Sequence, residues 1–128
     1  MAPRDVARVL AASRVAIGLG LLAAPRLSLG LWIGRDAGVA SAPVGRALGI
    51  REVVLGAMAL HTLDRPQVAR RWLRTLAVCD AVDVAATLAA RPALPPHGRA
   101  LIGAMASAGT AGQLWAAARL PDAPPDDV

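Results

Sequence analysis

Apolar residues gather into four stretches, at residues 6–24, 45–63, 72–90 and 98–120, separated by connectors rich in helix breakers. Proline stands outside every stretch and inside none. Pro25 closes the first and Pro43 precedes the second, which stops at Asp64, Arg65 and Pro66. Arg91 and Pro92 close the third, and Pro95, Pro96 and Pro121 bracket the fourth. An interior proline removes a backbone hydrogen bond, so this spacing predicts four uninterrupted helices. Each is close to the ~20 residues that span the hydrocarbon of a bilayer. The connector 25–43 is not simply polar. Leu27, Leu29, Leu31, Trp32 and Ile33 lie in it and predict a short interfacial helix or re-entrant turn, with Trp32 at headgroup depth. Trp72 and Trp115 fall near the ends of the third and fourth stretches, where an aromatic belt would put them. The expected fold is all-α: a four-helix transmembrane bundle with a short interfacial segment between helices one and two, forming a single domain over residues 1–120. The Pro- and Asp-rich tail 121–128 is expected to be disordered.

Composition changes this picture in one direction. Hydrophobic residues make up 55% of the 128 and charged residues 18%, against about a quarter charged in an ordinary soluble domain. There is no Phe and no Tyr, so Ala, Leu, Val and Gly carry the apolar set. Small residues suit helices whose backbones approach closely, as membrane helices do. A GC-rich genome would favour the same residues, and every basic residue here is Arg. A soluble, Ala-rich bundle would also give four stretches. Yet residues 101–118 carry no charge, and a soluble helix should have a polar face.

The net charge of +5 comes from arginines at the ends of the stretches. They form no single stripe with aromatics, so no nucleic-acid partner is expected, and the bilayer with its headgroups is the expected one. If the N-terminus is cytoplasmic, that side holds seven arginines (Arg4, Arg8, Arg65, Arg70, Arg71, Arg74, Arg119) against five on the other (Arg26, Arg35, Arg46, Arg91, Arg99). The expectation is a multi-pass protein of the cell membrane with both termini cytoplasmic. Arg14 interrupts the first stretch, and no cleavable signal peptide is evident. Cys79 is the one cysteine, which leaves no internal disulfide and no Cys-pair metal motif. His61 and His97 are isolated and read as surface or capping residues. No zinc spacing, Walker loop, nucleophile elbow or dinucleotide fingerprint is present, and neither metal nor cofactor is expected.

The charges inside the stretches are the candidate chemistry. An Asp or Arg at the centre of a membrane helix costs roughly 2.5–3.5 kcal/mol, so its presence points to a site. Counted from the side of the N-terminus, Arg14 lies ~12 Å deep, Glu52 ~16 Å, Asp80 ~12 Å and Asp83 ~16 Å. Arg51 adjoins Glu52, and Ser107 and Thr110 reach similar depths, with Gln113 nearer the surface. Facing agrees. Gly45, Gly49, Glu52 and Gly56 share a face, as do Asp80, Asp83 and Thr87, and likewise Gly103, Ser107 and Thr110. Two arginines meet three carboxylates, so either one carboxyl holds a proton or a cation is bound. Two neighbouring arginines would repel a metal ion.

The candidate catalytic groups are Asp80, Asp83 and Glu52, and the candidate substrate-binding groups are Arg14, Arg51 and Thr110. The leading expectation is a membrane protein whose buried Arg/Glu/Asp cluster binds a small or lipid-like molecule. An acid/base enzyme acting on an apolar substrate would take its proton from Asp80 or Asp83, with Arg51 stabilising negative charge. A proton-coupled transporter subunit would use the same carboxylates and would need to form a homo-oligomer. A structural or interaction subunit would bind another protein through its small-residue faces, and in the plainest reading the ion pairs only lock helix register.

The order of these features resembles a group of small four-helix membrane proteins of unknown function common in actinobacteria. The matching residues are Ser13-Arg14 followed by Gly18, the 25–32 segment, Gly45-Arg46-Ala47-Leu48-Gly49-Ile50-Arg51-Glu52 with Gly56, and Asp80-Ala81-Val82-Asp83. The likeness covers residues 8–118, and its more specific parts are the Gly-Ile-Arg-Glu stretch and the Asp-x-x-Asp pair. It implies the four-helix fold and the membrane location, and it brings no activity.

Overall fold

The computed structural model describes residues 1–120, so the tail expected to be disordered lies outside the described residues. Those residues fold into α1 (Pro3–Ala23), α2 (Pro25–Ile33), α3 (Ala42–Thr62), α4 (Pro66–Ala89) and α5 (Pro96–Arg119), with short 3₁₀ turns at Gly34–Asp36 and Val39–Ser41. The protein is all-helical, and no strand occurs among the described residues. The four expected stretches are the four long helices, and the connector supplies the fifth and shortest.

Each helix starts with proline at its first or second position, and none has a side-chain N-cap bond. Proline serves here because its ring pre-sets φ and its missing N–H costs nothing where no partner exists. The long helices therefore begin ahead of their apolar stretches. Pro66, expected as a stop for the second stretch, is the first residue of α4, and Arg70, Arg71 and Arg74 ride on its opening turns. α2 ends at Gly34, whose φ of +69° is the only positive value among the described residues. An L side chain there would be strained.

The buried positions step along each long helix at alternating intervals of three and four. α1 buries Ala7, Ala11, Arg14, Gly18 and Leu21, and α3 buries Gly45, Gly49, Glu52, Gly56 and Ala59. α4 buries Ala69, Leu73, Leu76, Asp80 and Thr87, and α5 buries Ala106, Gly109, Gln113 and Ala116. This is the seam of helices packed nearly in line. α1 packs chiefly on α3, and α4 chiefly on α5. The first pair touches backbone to backbone. A Cβ on Gly18 would lie 2.6 Å from the Gly49 carbonyl oxygen, and one on Gly56 would lie 2.6 Å from that of Ala11.

The distribution of size and charge is inverted relative to a soluble domain. The inward stripes are mostly Ala and Gly with some Leu, interrupted by Arg14, Glu52, Asp80 and Gln113 near mid-helix and by Thr62 and Thr87 toward the ends. The outward faces carry Val9, Leu19, Ile50, Val54, Val78, Val82 and Leu114, all exposed. By length and composition, one helix among the described residues, α1, is long and apolar enough to cross a membrane. α3, α4 and α5, with 21, 24 and 24 residues, have the length without the apolarity.

Candidate functional site

The mid-helix residues that interrupt the four stripes, Arg14, Glu52, Asp80 and Gln113, are brought together. Arg14 is 5% exposed. Its Nη1 donates to Glu52 Oε2 at 2.5 Å, and its Nη2 donates to Asp80 Oδ1 and, at 3.5 Å, to the Leu76 carbonyl. Gln113 Nε2 donates to Asp80 Oδ2 at 3.0 Å. One guanidinium thus holds carboxylates from two other helices, and an amide from the fourth closes the chain. The rigid planar fork of Arg suits this better than the point charge of Lys.

Arg51 and Asp83 form a second, more open shelf. Arg51 Nη1 lies 3.6 Å from Asp83 Oδ1 and 3.9 Å from Glu52 Oε1, with about a third of each of these two side chains reached by solvent. Gly109 lets the cluster close against α5, because any Cβ there would collide with Asp80 Oδ2.

A cavity of about 530 Å³ opens from this cluster, within the range of small-molecule sites. Leu10, Ile17 and Leu21 of α1, Leu29, Leu31 and Trp32 of α2, and Leu101, Ile102 and Met105 of α5 give it apolar walls, while Arg14, Glu52, Asp80, Asp83 and Gln113 form its polar end. Ile17, Leu31, Leu101 and Met105 are 40–56% exposed, so the mouth lies where α1 and α2 face α5. Four atoms of the lining residues are buried without a hydrogen-bond partner: Arg14 Nε, Trp32 Nε1, Glu52 Oε1 and Gln113 Oε1. Among the described residues no three His, Cys, Asp or Glu side chains converge as metal ligands.

Of the residues singled out from the sequence, Arg14, Glu52 and Asp80 form the buried core of the site, and Arg51 and Asp83 form its half-exposed edge. Thr110 stands apart. Its hydroxyl donates to the Ala106 carbonyl at 2.9 Å and to that of Ala77 at 3.5 Å, and it is not among the residues lining the cavity. The inward face expected for the last helix, Gly103, Ser107 and Thr110, is corrected. Ser107 is exposed, and Ala106, Gly109, Gln113 and Ala116 face the interior. Gln113, expected nearer the bilayer surface than Ser107 and Thr110, is buried within the bundle and reaches Asp80. Trp32, expected at headgroup depth, lines the cavity.

This arrangement can accept hydrogen bonds from a ligand head, hold a proton on a carboxylate, or carry only the ion pairs that fix register. Comparison with protein-family models, with curated proteins and with solved structures finds no match, so the resemblance rests on the residues quoted for it.

Proposed function

We propose that this is an integral membrane protein that binds a small amphipathic or lipid-like molecule, with its apolar part between α1, α2 and α5 and its polar end on Arg14, Glu52, Asp80 and Gln113. The observation that carries this reading is the cavity of about 530 Å³, apolar along its walls and charged at its end. A cluster that served only to lock register would be expected to sit in a closed, packed centre. In this reading the four long helices cross the bilayer, both termini face the cytoplasm, and α2 lies near the opposite interface.

The inverted pattern supports membrane placement. Exposed Val, Leu and Ile on every long helix suit lipid, and small inward residues suit close helix approach. The fully buried charges of α3 and α4, Glu52 and Asp80, face the interior, where membrane proteins keep charge, while Arg46, Arg71 and Arg74 are exposed nearer the helix ends. Membranes washed with carbonate and high salt are the test. The protein is expected to remain in the pellet until detergent is added, and release by carbonate alone would overturn the reading.

A second reading, an acid/base step on an apolar substrate, draws on Glu52 Oε1, which lacks a hydrogen-bond partner, and on Arg51 beside it. It requires that Glu52→Gln abolish turnover while leaving ligand binding in place.

A further inference from the structure

The charges around the cavity do not balance. One guanidinium, Arg14, and three carboxylates, Glu52, Asp80 and Asp83, line it. Arg51 stands outside the lining and meets Asp83 at 3.6 Å and Glu52 at 3.9 Å, so its one charge is shared between them. Arg14 lies between Glu52 and Asp80, and with all three carboxyls ionised against two guanidiniums the cluster carries one negative charge in excess. Hydrogen bonding gives no such bias, since Glu52 Oε1 and Gln113 Oε1 are buried acceptors without donors and Arg14 Nε and Trp32 Nε1 are buried donors without acceptors.

Each class of ligand head changes that balance differently. An anionic head would double the excess in a poorly solvated place, where unpaired charge is expensive. A neutral head would leave the excess as it is. A protonated amine brings that charge to zero and supplies N–H donors to the unpartnered Glu52 Oε1 and Gln113 Oε1. We infer that the cavity takes an amphipathic amine, its ammonium beside Glu52 and Asp80 and its hydrocarbon along Leu21, Leu29, Ile102 and Met105. This rests on the ligand-binding reading above.

Decylamine, decan-1-ol and decanoate share a chain and differ in the head, so they separate the inference from the reading beneath it. The protein is placed in nanodiscs of zwitterionic lipid with Trp72→Phe and Trp115→Phe, leaving Trp32 fluorescence as the reporter. Decylamine is expected to bind about tenfold or more tighter than decan-1-ol, with decanoate weakest. In Glu52→Gln and Asp80→Asn that preference should fall to near parity. Asp83→Asn, altered at the half-exposed edge, gives the same comparison if either buried variant fails to fold. Equal or tighter binding of the alcohol or the carboxylate by the parent protein overturns the amine and leaves the cavity reading standing. No Trp32 response to any of the three overturns both.

Discussion

The charged layer divides the molecule into two unlike halves. Toward the termini, Ala7, Leu63, Ala69, Leu73, Ala116, Ala117 and Leu120 pack into one buried cluster, and Ala11, Ala59 and Leu76 continue it up to Arg14. Toward the loops that join α1 to α3, the helices enclose the cavity, and several apolar side chains on its walls are half exposed. Both halves use the same kinds of residue on the same helices. The difference is that in the terminal half stripes of Ala and Leu meet directly, whereas in the other half α2 intervenes and holds Leu29, Leu31 and Trp32 against the space. Packing density, more than composition, separates the scaffold from the site.

The sharpest way to break this comparison is at the boundary. Arg14→Met leaves Glu52 and Asp80 buried without their cation and is expected to destabilise by about 3–5 kcal/mol, read as the unfolding midpoint in denaturing detergent. Adding Glu52→Gln and Asp80→Asn to that variant should restore most of the loss, because the penalty belongs to unpaired charge. Next comes truncation in the two halves. Leu73→Ala should cost about 2–5 kcal/mol, whereas Leu31→Ala on the cavity wall should stay within about 0.5 kcal/mol; equal losses would erase the distinction between halves. Gly109→Ala forces Asp80 off the α5 backbone and should cost about 1–3 kcal/mol, with weaker decylamine binding as its second readout. Smallest in stability is Ala108→Leu, an exposed residue at the cavity. It should unfold like the parent and lose ligand binding, and unchanged binding would place the ligand elsewhere.

Much of this was legible in the sequence. The four long helices follow from apolar runs bounded by proline, and the meeting of Arg14, Glu52 and Asp80 follows from their common depth. What was misread has physical causes. Pro66, read as a stop, marks a start as readily, since proline is tolerated at the first helical turn. On α5, Gly103-Ser107-Thr110 and Ala106-Gly109-Gln113 have equivalent spacing, and alanine and glycine on every side leave no face with a stronger claim. Only the partner decides, and Asp80 selects Gln113. The signal that could have found it is the run Ala106, Gly109, Gln113, Ala116 and Leu120, which repeats the three-and-four spacing of the α3 stripe with one polar residue inside it. The cavity itself was not legible, because it depends on how α2 sits across the gap.

The ion cluster also sets a timetable. Arg14 is polymerised 38 residues before Glu52 and 66 before Asp80. At roughly 5–20 residues per second, a ribosome needs about 2–8 s to reach the first partner and about 3–13 s to reach the second. Throughout that interval α1 exists as a hydrophobic helix with a lone cation at its middle. If the proposed membrane placement holds, a nascent α1 released into lipid would drag that charge with it, and the early chain would need a hydrated or chaperoned holding place. Its final seating would then wait for α4, although α1 precedes α4 in the chain by more than forty residues.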